Sequence, residues 1–178
     1  MHAVRRSVFA LTLALALGLA AATSVSADVH VGDPAPTFAL PDSAGRTVTT
    51  ESLRGRVVVL DFTASWCMAC RTALPELEAL GARYADRSVT VVTVAIDADP
   101  KDADRFLAAV VPGHTMTVLY DTSARLLARF GAAGMPAHYV LDREGIVRFV
   151  ASGFTPNRMN AIAAAVDAAL EASGSAKQ

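Results

Sequence analysis

The chain has 178 residues, 53% of them hydrophobic, with 16 basic and 17 acidic side chains and a formal net charge of −1. That length suits one domain with a substantial core. The balanced charge, with no basic block and no aromatic-basic patch, excludes a nucleic-acid surface of the usual electrostatic kind.

In chain order, residues 1–27 begin with His2, Arg5 and Arg6, continue as the apolar run SVFALTLALALGLAAA without an acidic residue, and close on SVSA. This is the layout of a secretory signal peptide, with cleavage expected after Ala27 and an uncleaved membrane anchor as the alternative. Arg5 and Arg6 are also a twin-arginine export cue. One domain is expected over residues 28–172, with a frayed tail at 173–178. Thr37–Leu40 and Arg46–Thr50 flank PDSAG as a short hairpin. Val57–Phe62 (VVVLDF) is a continuous apolar run of the kind buried on both faces of a sheet. A helix follows over Met68–Ala82, with Leu74, Leu77 and Leu80 on one face and a kink expected at Pro75. Val89–Ile96 is a second buried strand. A helix opens at Asp99 with Pro100 in its first turn and stops by Pro112. Thr115–Tyr120 is a third strand and Ser123–Gly131 a short helix. Ala137–Asp142 and Ile146–Val150 form a hairpin, and a last helix starts at Thr155. Strands alternating with helices and ending in a hairpin predict an α/β fold, a central mixed sheet with helices on both faces.

The only two cysteines, Cys67 and Cys70, lie in DFTASWCMACR. In an exported protein such a pair can form a structural staple. A bridge closing so short a loop, however, removes little chain entropy and adds little stability. The pair therefore reads as chemical.

The stretch DFTASWCMACR at the end of a buried strand, GMPAHYVLDREGIV some way beyond it, and the opening VGDPAPTFALPDSAGRTVTTESLRGRVVVL together resemble exported thioredoxin-like proteins of the TlpA/ResA type. The resemblance spans essentially all of the chain after residue 27. It implies a thioredoxin fold with an N-terminal hairpin extension and an inserted helix, thiol-disulfide exchange, and a cis Pro136 packed against the active site. It also implies that Cys67 is the exposed nucleophile and Cys70 the buried resolving thiol. Helix geometry agrees: Cys67 at the helix N-terminus would gain thiolate stabilisation from unpaired N–H groups, whereas Cys70 lies one turn in. Trp66 is expected to form an apolar rim, and the backbone of Met135 to receive an extended client chain. Asp61 matches the buried aspartate of thioredoxin. Burial should raise its pKa, so that it can exchange a proton with Cys70. The chain departs from the TlpA/ResA pattern in carrying Asp61 where a neutral polar residue is common, and Ala73 where a glutamate is. His138 departs as well, and is expected to face away from the cysteines, with a pH-sensitive role left open.

Two other functions fit the residues less well. A thiol peroxidase would need a threonine and a proline where the chain has Ala64 and Leu60. A copper(I) carrier could use Cys67, Met68 and Cys70 with His114 or His138, though neither histidine sits where such carriers place theirs. Arg71 and Glu76 read as solvated helix charges. The reading is an exported, periplasmic-type thiol-disulfide oxidoreductase with no cofactor or metal beyond its own cysteines. Expected partners are protein thiol or disulfide clients and a membrane-embedded thiol donor, with a monomer as the unit. Cytochrome c maturation and copper-site assembly are the candidate client pathways.

Overall fold

A computed structural model describes residues 28–175. The signal segment lies outside the described residues. The chain forms β1 (Ala39–Pro41) and β2 (Thr47–Thr49), a 3-10 turn (Glu51–Leu53), β3 (Val57–Thr63), α1 (Met68–Arg83), β4 (Val89–Ala95) and α2 (Pro100–Val110). There follow β5 (Thr117–Tyr120), α3 (Arg125–Phe130), β6 (Ala137–Leu141), β7 (Val147–Ser152) and α4 (Pro156–Ser175). The last helix thus reaches three residues into the segment expected to fray.

Two sheets result. β1 and β2 are an antiparallel pair, and five strands stand in the order β5-β4-β3-β6-β7. β4 runs parallel to both β3 and β5, while β6 is antiparallel to β3 and to β7, which is the expected mixed sheet. The hairpin is tied to the main sheet by a bridge between Asp42 and Leu119. Asp42 in turn closes the hairpin turn by accepting from the N–H groups of Ala44 and Arg46 at 2.9 and 2.8 Å.

β3 is buried along its whole length, so its period-2 alternation feeds two cores. Val57 and Val59 pack with Cys67, Cys70, Leu74 and Leu77 of α1, Phe106 of α2, and Ile162 and Val166 of α4. Val58, Leu60 and Phe62 pack on the opposite face with Phe130 of α3, Tyr139, and Ala35 and Leu53 of the N-terminal segment. Helices therefore cover both faces, and the cysteines belong to the face carrying α1, α2 and α4. Among the described residues no helix is long and apolar enough to cross a membrane.

Two boundaries differ from expectation because side chains claim the backbone. β5 begins at Thr117 rather than Thr115, since the Thr115 N–H and hydroxyl both donate to Glu78 Oε1, at 2.8 and 2.7 Å. α3 begins at Arg125, with Ala124 before it in a left-handed conformation (φ 52°). Its first N–H groups are met by Asp121, which accepts from Leu126 N at 2.7 Å and Arg125 N at 3.2 Å.

Candidate active site

The buried strand β3 ends at Thr63, and Ala64–Cys67 turn the chain into α1. This turn is clamped from β4's exit: Asp97, 5% exposed, accepts from the Ser65 hydroxyl at 2.6 Å and from Ser65 N at 3.1 Å. Sequence reasoning passed over Asp97, and no local signal marks it, because its partner lies 32 residues away. Its effect is to fix the loop that carries Trp66 and Cys67.

Cys67 is the N-cap of α1, and its sulfur accepts the backbone N–H of Cys70 at 3.2 Å. An N-cap sulfur placed this way would have its thiolate stabilised by that donor and by the positive end of the helix dipole. The two cysteines form a disulfide, with an S–S distance of 2.06 Å. Both are buried, so the exposure expected of Cys67 is reduced to a small difference from Cys70 in the disulfide form. Cys67 is 7% exposed and Cys70 is 0% exposed. Around the bridge, Trp66 and Met68 are 65% and 75% exposed, leaving an apolar rim beside it. The Arg71 guanidinium lies over the Phe106 ring at 5.3 Å.

The Met135–Pro136 peptide is cis, as the resemblance implies. Pro136 is buried, and Met135, half-buried, packs against the core that holds both cysteines. The antiparallel register, Phe62 opposite Ala137, brings this loop to the same end of the sheet as the Cys67 turn.

Asp61 is 1% exposed and lies two residues beyond Val59 on β3, so alternation sends its side chain to the cysteine-bearing face. Desolvation pushes its carboxyl above the usual range, and the neighbouring His138 acts in the opposite direction. His138 contradicts the expectation that it faces away. It is Asp61's register partner on β6, is fully buried, and sets Nδ1 3.0 Å from Asp61 Oδ1. The physical reason is that β6 is buried at every position. Its alternation therefore carries no inside-outside signal, and only the register with β3 decides which face the ring takes.

A model of the Redoxin family matches residues 30–167. The chain belongs to the Redoxin family. The Redoxin chain is 28% identical to the thiol-disulfide oxidoreductase ResA of Geobacillus thermodenitrificans, over 84% of its own length and 87% of that protein's. A Chlorobium tepidum structure assigned as a thiol:disulfide interchange protein, DsbE, superposes with a TM-score of 0.75 and 38% identity, covering 80% of this chain and 99% of that one. A secreted Mycobacterium tuberculosis disulfide oxidoreductase homologous to E. coli DsbE gives a TM-score of 0.62 at 25% identity, covering 74% and 95% of the two chains. With a Cys67–Cys70 bridge at a helix N-terminus, this member of the family has a thioredoxin fold and is a thiol-disulfide oxidoreductase. No group of three or more His, Cys, Asp or Glu side chains able to hold a metal ion occurs among the described residues.

Proposed function

We propose that the chain is exported through residues 1–27, cleaved after Ala27, and works as a monomeric reductant of disulfides in protein clients. The observation that carries the reading is the asymmetry of the pair: Cys67 caps α1 and accepts the Cys70 N–H, while Cys70 is fully enclosed. Cys67 attacks a client disulfide, and Cys70 resolves the mixed disulfide so formed. Asp61, buried beneath, takes the Cys70 proton as that thiol turns into a nucleophile. Trp66 offers an apolar contact. Met135, whose main chain makes no hydrogen bond among the described residues, offers its backbone to an extended client segment.

The direction rests on Met68 and Ala69 between the cysteines. Neither supplies a cation or a side-chain donor, and Arg71 is engaged with Phe106. Cys67 then has mainly the helix terminus, a contribution of about 0.3–2 kcal/mol. At about 1.4 kcal/mol per 30 mV, that falls short of what the strongly oxidising couples require. An exported reductant is oxidised by its surroundings unless recharged, so a membrane-embedded thiol donor is part of the proposal. Clients with paired cysteines awaiting haem or copper suit it. The test is a trap: Cys70→Ala, expressed in the native host, should retain exported thiol proteins as mixed disulfides on Cys67. A trap that stays empty while the Cys67 thiol remains reactive would refute the client reading.

A further inference from the structure

The cysteine-bearing face of the sheet holds a buried carboxylate–imidazole pair that the reaction as described uses only by half. Asp61 and His138 are 1% and 0% exposed and 3.0 Å apart. Neither His138 nitrogen nor Asp61 Oδ1 completes a hydrogen bond among the described residues, so the close approach of Nδ1 to Oδ1 is the polar contact that each has to the other. The row across the sheet continues as Thr93 on β4 and Ala151 on β7. α1 and α4 pack on this face, with Cys70 and Leu74 of α1 and Met159, Ile162 and Val166 of α4 buried in its core. Of the other titratable groups on this side, Tyr84 donates to Ala163 O at 3.2 Å, Tyr120 donates to Asp104, and Asp97 accepts from Ser65. Glu78 Oε2, further along α1, and His114 Nδ1, before β5, are buried without a hydrogen-bond partner among the described residues. Cys70, in the first turn of α1, becomes titratable in this core once the disulfide opens.

Burial permits such a pair only as a neutral unit, either carboxylic acid with neutral imidazole or carboxylate with imidazolium. Both forms hold one proton. We propose that His138 is a positioning residue for the thiol-disulfide reaction, sharing that single proton with Asp61 and so keeping the carboxylate available as the base toward Cys70. The proposal rests on the reading of Asp61 given above. In the resolving step the Cys70 thiol passes its proton to the pair and its sulfur attacks Cys67 Sγ of the mixed disulfide. The bond from Cys67 to the client sulfur breaks, the client leaves as thiolate, and the extra proton leaves the pair for that thiolate or for water. The two cysteines lose two electrons as their disulfide forms, and the client disulfide has gained them. While the Cys70 thiolate exists, the pair carries the matching positive charge.

The experiment follows reduced full-length protein mixed with 5,5′-dithiobis(2-nitrobenzoate) in a stopped-flow instrument between pH 5 and 9. A first release of thionitrobenzoate reports attack by Cys67, and a second reports attack by Cys70 on the mixed disulfide. With His138→Leu, Asp61 keeps its proton to higher pH. The midpoint of the second phase should therefore move to alkaline pH by about one unit or more, with the high-pH plateau retained. Asp61→Asn should instead lower the second phase at every pH, by roughly 10-fold to 100-fold. His138→Gln, which keeps the size and polarity of the site, should shift the midpoint as His138→Leu does and serves if the leucine variant does not fold. Midpoints unchanged in the histidine variants, with Asp61→Asn slow, would overturn the role of His138 alone. A second phase unchanged in Asp61→Asn would overturn the base reading of Asp61 and this proposal with it.

Discussion

Replacing Asp61 by asparagine should stabilise the oxidised protein at neutral pH, and the gain should depend on pH in a calculable way. Asp61 is buried on all sides and its carboxyl is pushed above the ordinary value of 3.8, desolvation being the largest cause and the contact with His138 opposing it. For an acid whose folded-state pKa is raised, the native protein binds more protons than the unfolded chain above the unfolded pKa. Stability then falls as pH rises from about 3.8 through the folded-state value. The slope for one proton is about 1.4 kcal/mol per pH unit. Asparagine keeps nearly the same shape and cannot ionise. The difference in unfolding free energy, wild type minus Asp61→Asn, should therefore decline as pH rises above 3.8, at up to about 1.4 kcal/mol per unit, until the folded-state value is passed. Subtraction removes every titrating group outside the Asp61–His138 pair, and in the oxidised state neither cysteine contributes. Urea melts followed by far-UV circular dichroism give the two curves. Parallel curves across this window would show that Asp61 titrates as an ordinary solvated carboxylate, and would remove the basis for assigning it a proton-transfer role.

Three further outcomes are expected. Iodoacetamide at neutral pH should label Cys67 before Cys70 in the reduced protein, because the first caps a helix and the second is enclosed; peptide mapping that finds Cys70 modified first reverses the assignment. Equilibration with a glutathione series should give a potential more negative than about −180 mV, the value for protein disulfide isomerase, and a potential near −120 mV would make the protein an oxidant. Asp97→Ala removes the acceptor of the Ser65 hydroxyl and N–H, so thiol exchange at Cys67 should slow while the far-UV spectrum is kept. An unchanged rate would show that the loop holds its shape without the clamp.

What the sequence made legible was whatever is decided within a few residues. The run VVVLDF reads as a strand buried on both faces and is one, and Asp99-Pro100 opens a helix as an N-cap, its carboxylate accepting from Lys101 N at 3.0 Å. The cysteine spacing placed both sulfurs on one turn. The identity of the cis proline was legible through the G-M-P context and a family resemblance, since most prolines are trans. Side-chain claims on distant backbone were not legible. Glu78 shortens β5 from the other side of the loop, and Asp121 caps a helix that starts four residues later. The orientation of His138 was misread for a related reason. Ala137–Leu141 is buried at every position, so no polar alternation reveals which residues face the cysteines, and the answer lies in the pairing with β3, far earlier in the chain.

That pairing ties the proposed client site to the buried pair. β6 runs antiparallel to β3 with Phe62 opposite Ala137 and Asp61 opposite His138. Because the strands are antiparallel, the residues just before Ala137, Met135 and Pro136, lie at the sheet end where β3 delivers the chain to Cys67. A parallel β6 would have carried them to the far end. The same register sets His138 against Asp61 one step further in. A slip by one residue would send His138 to the face occupied by Phe130 and Tyr139 and would move Pro136 away from the cysteine turn at the same time. The distance between the proposed client-reading loop and Cys67, and the distance between imidazole and carboxylate on the cysteine-bearing face, are therefore not independent features of the fold. Any substitution that disturbs the β3–β6 ladder should perturb client attack and thiol resolution together, whereas a substitution confined to the His138 ring should separate them.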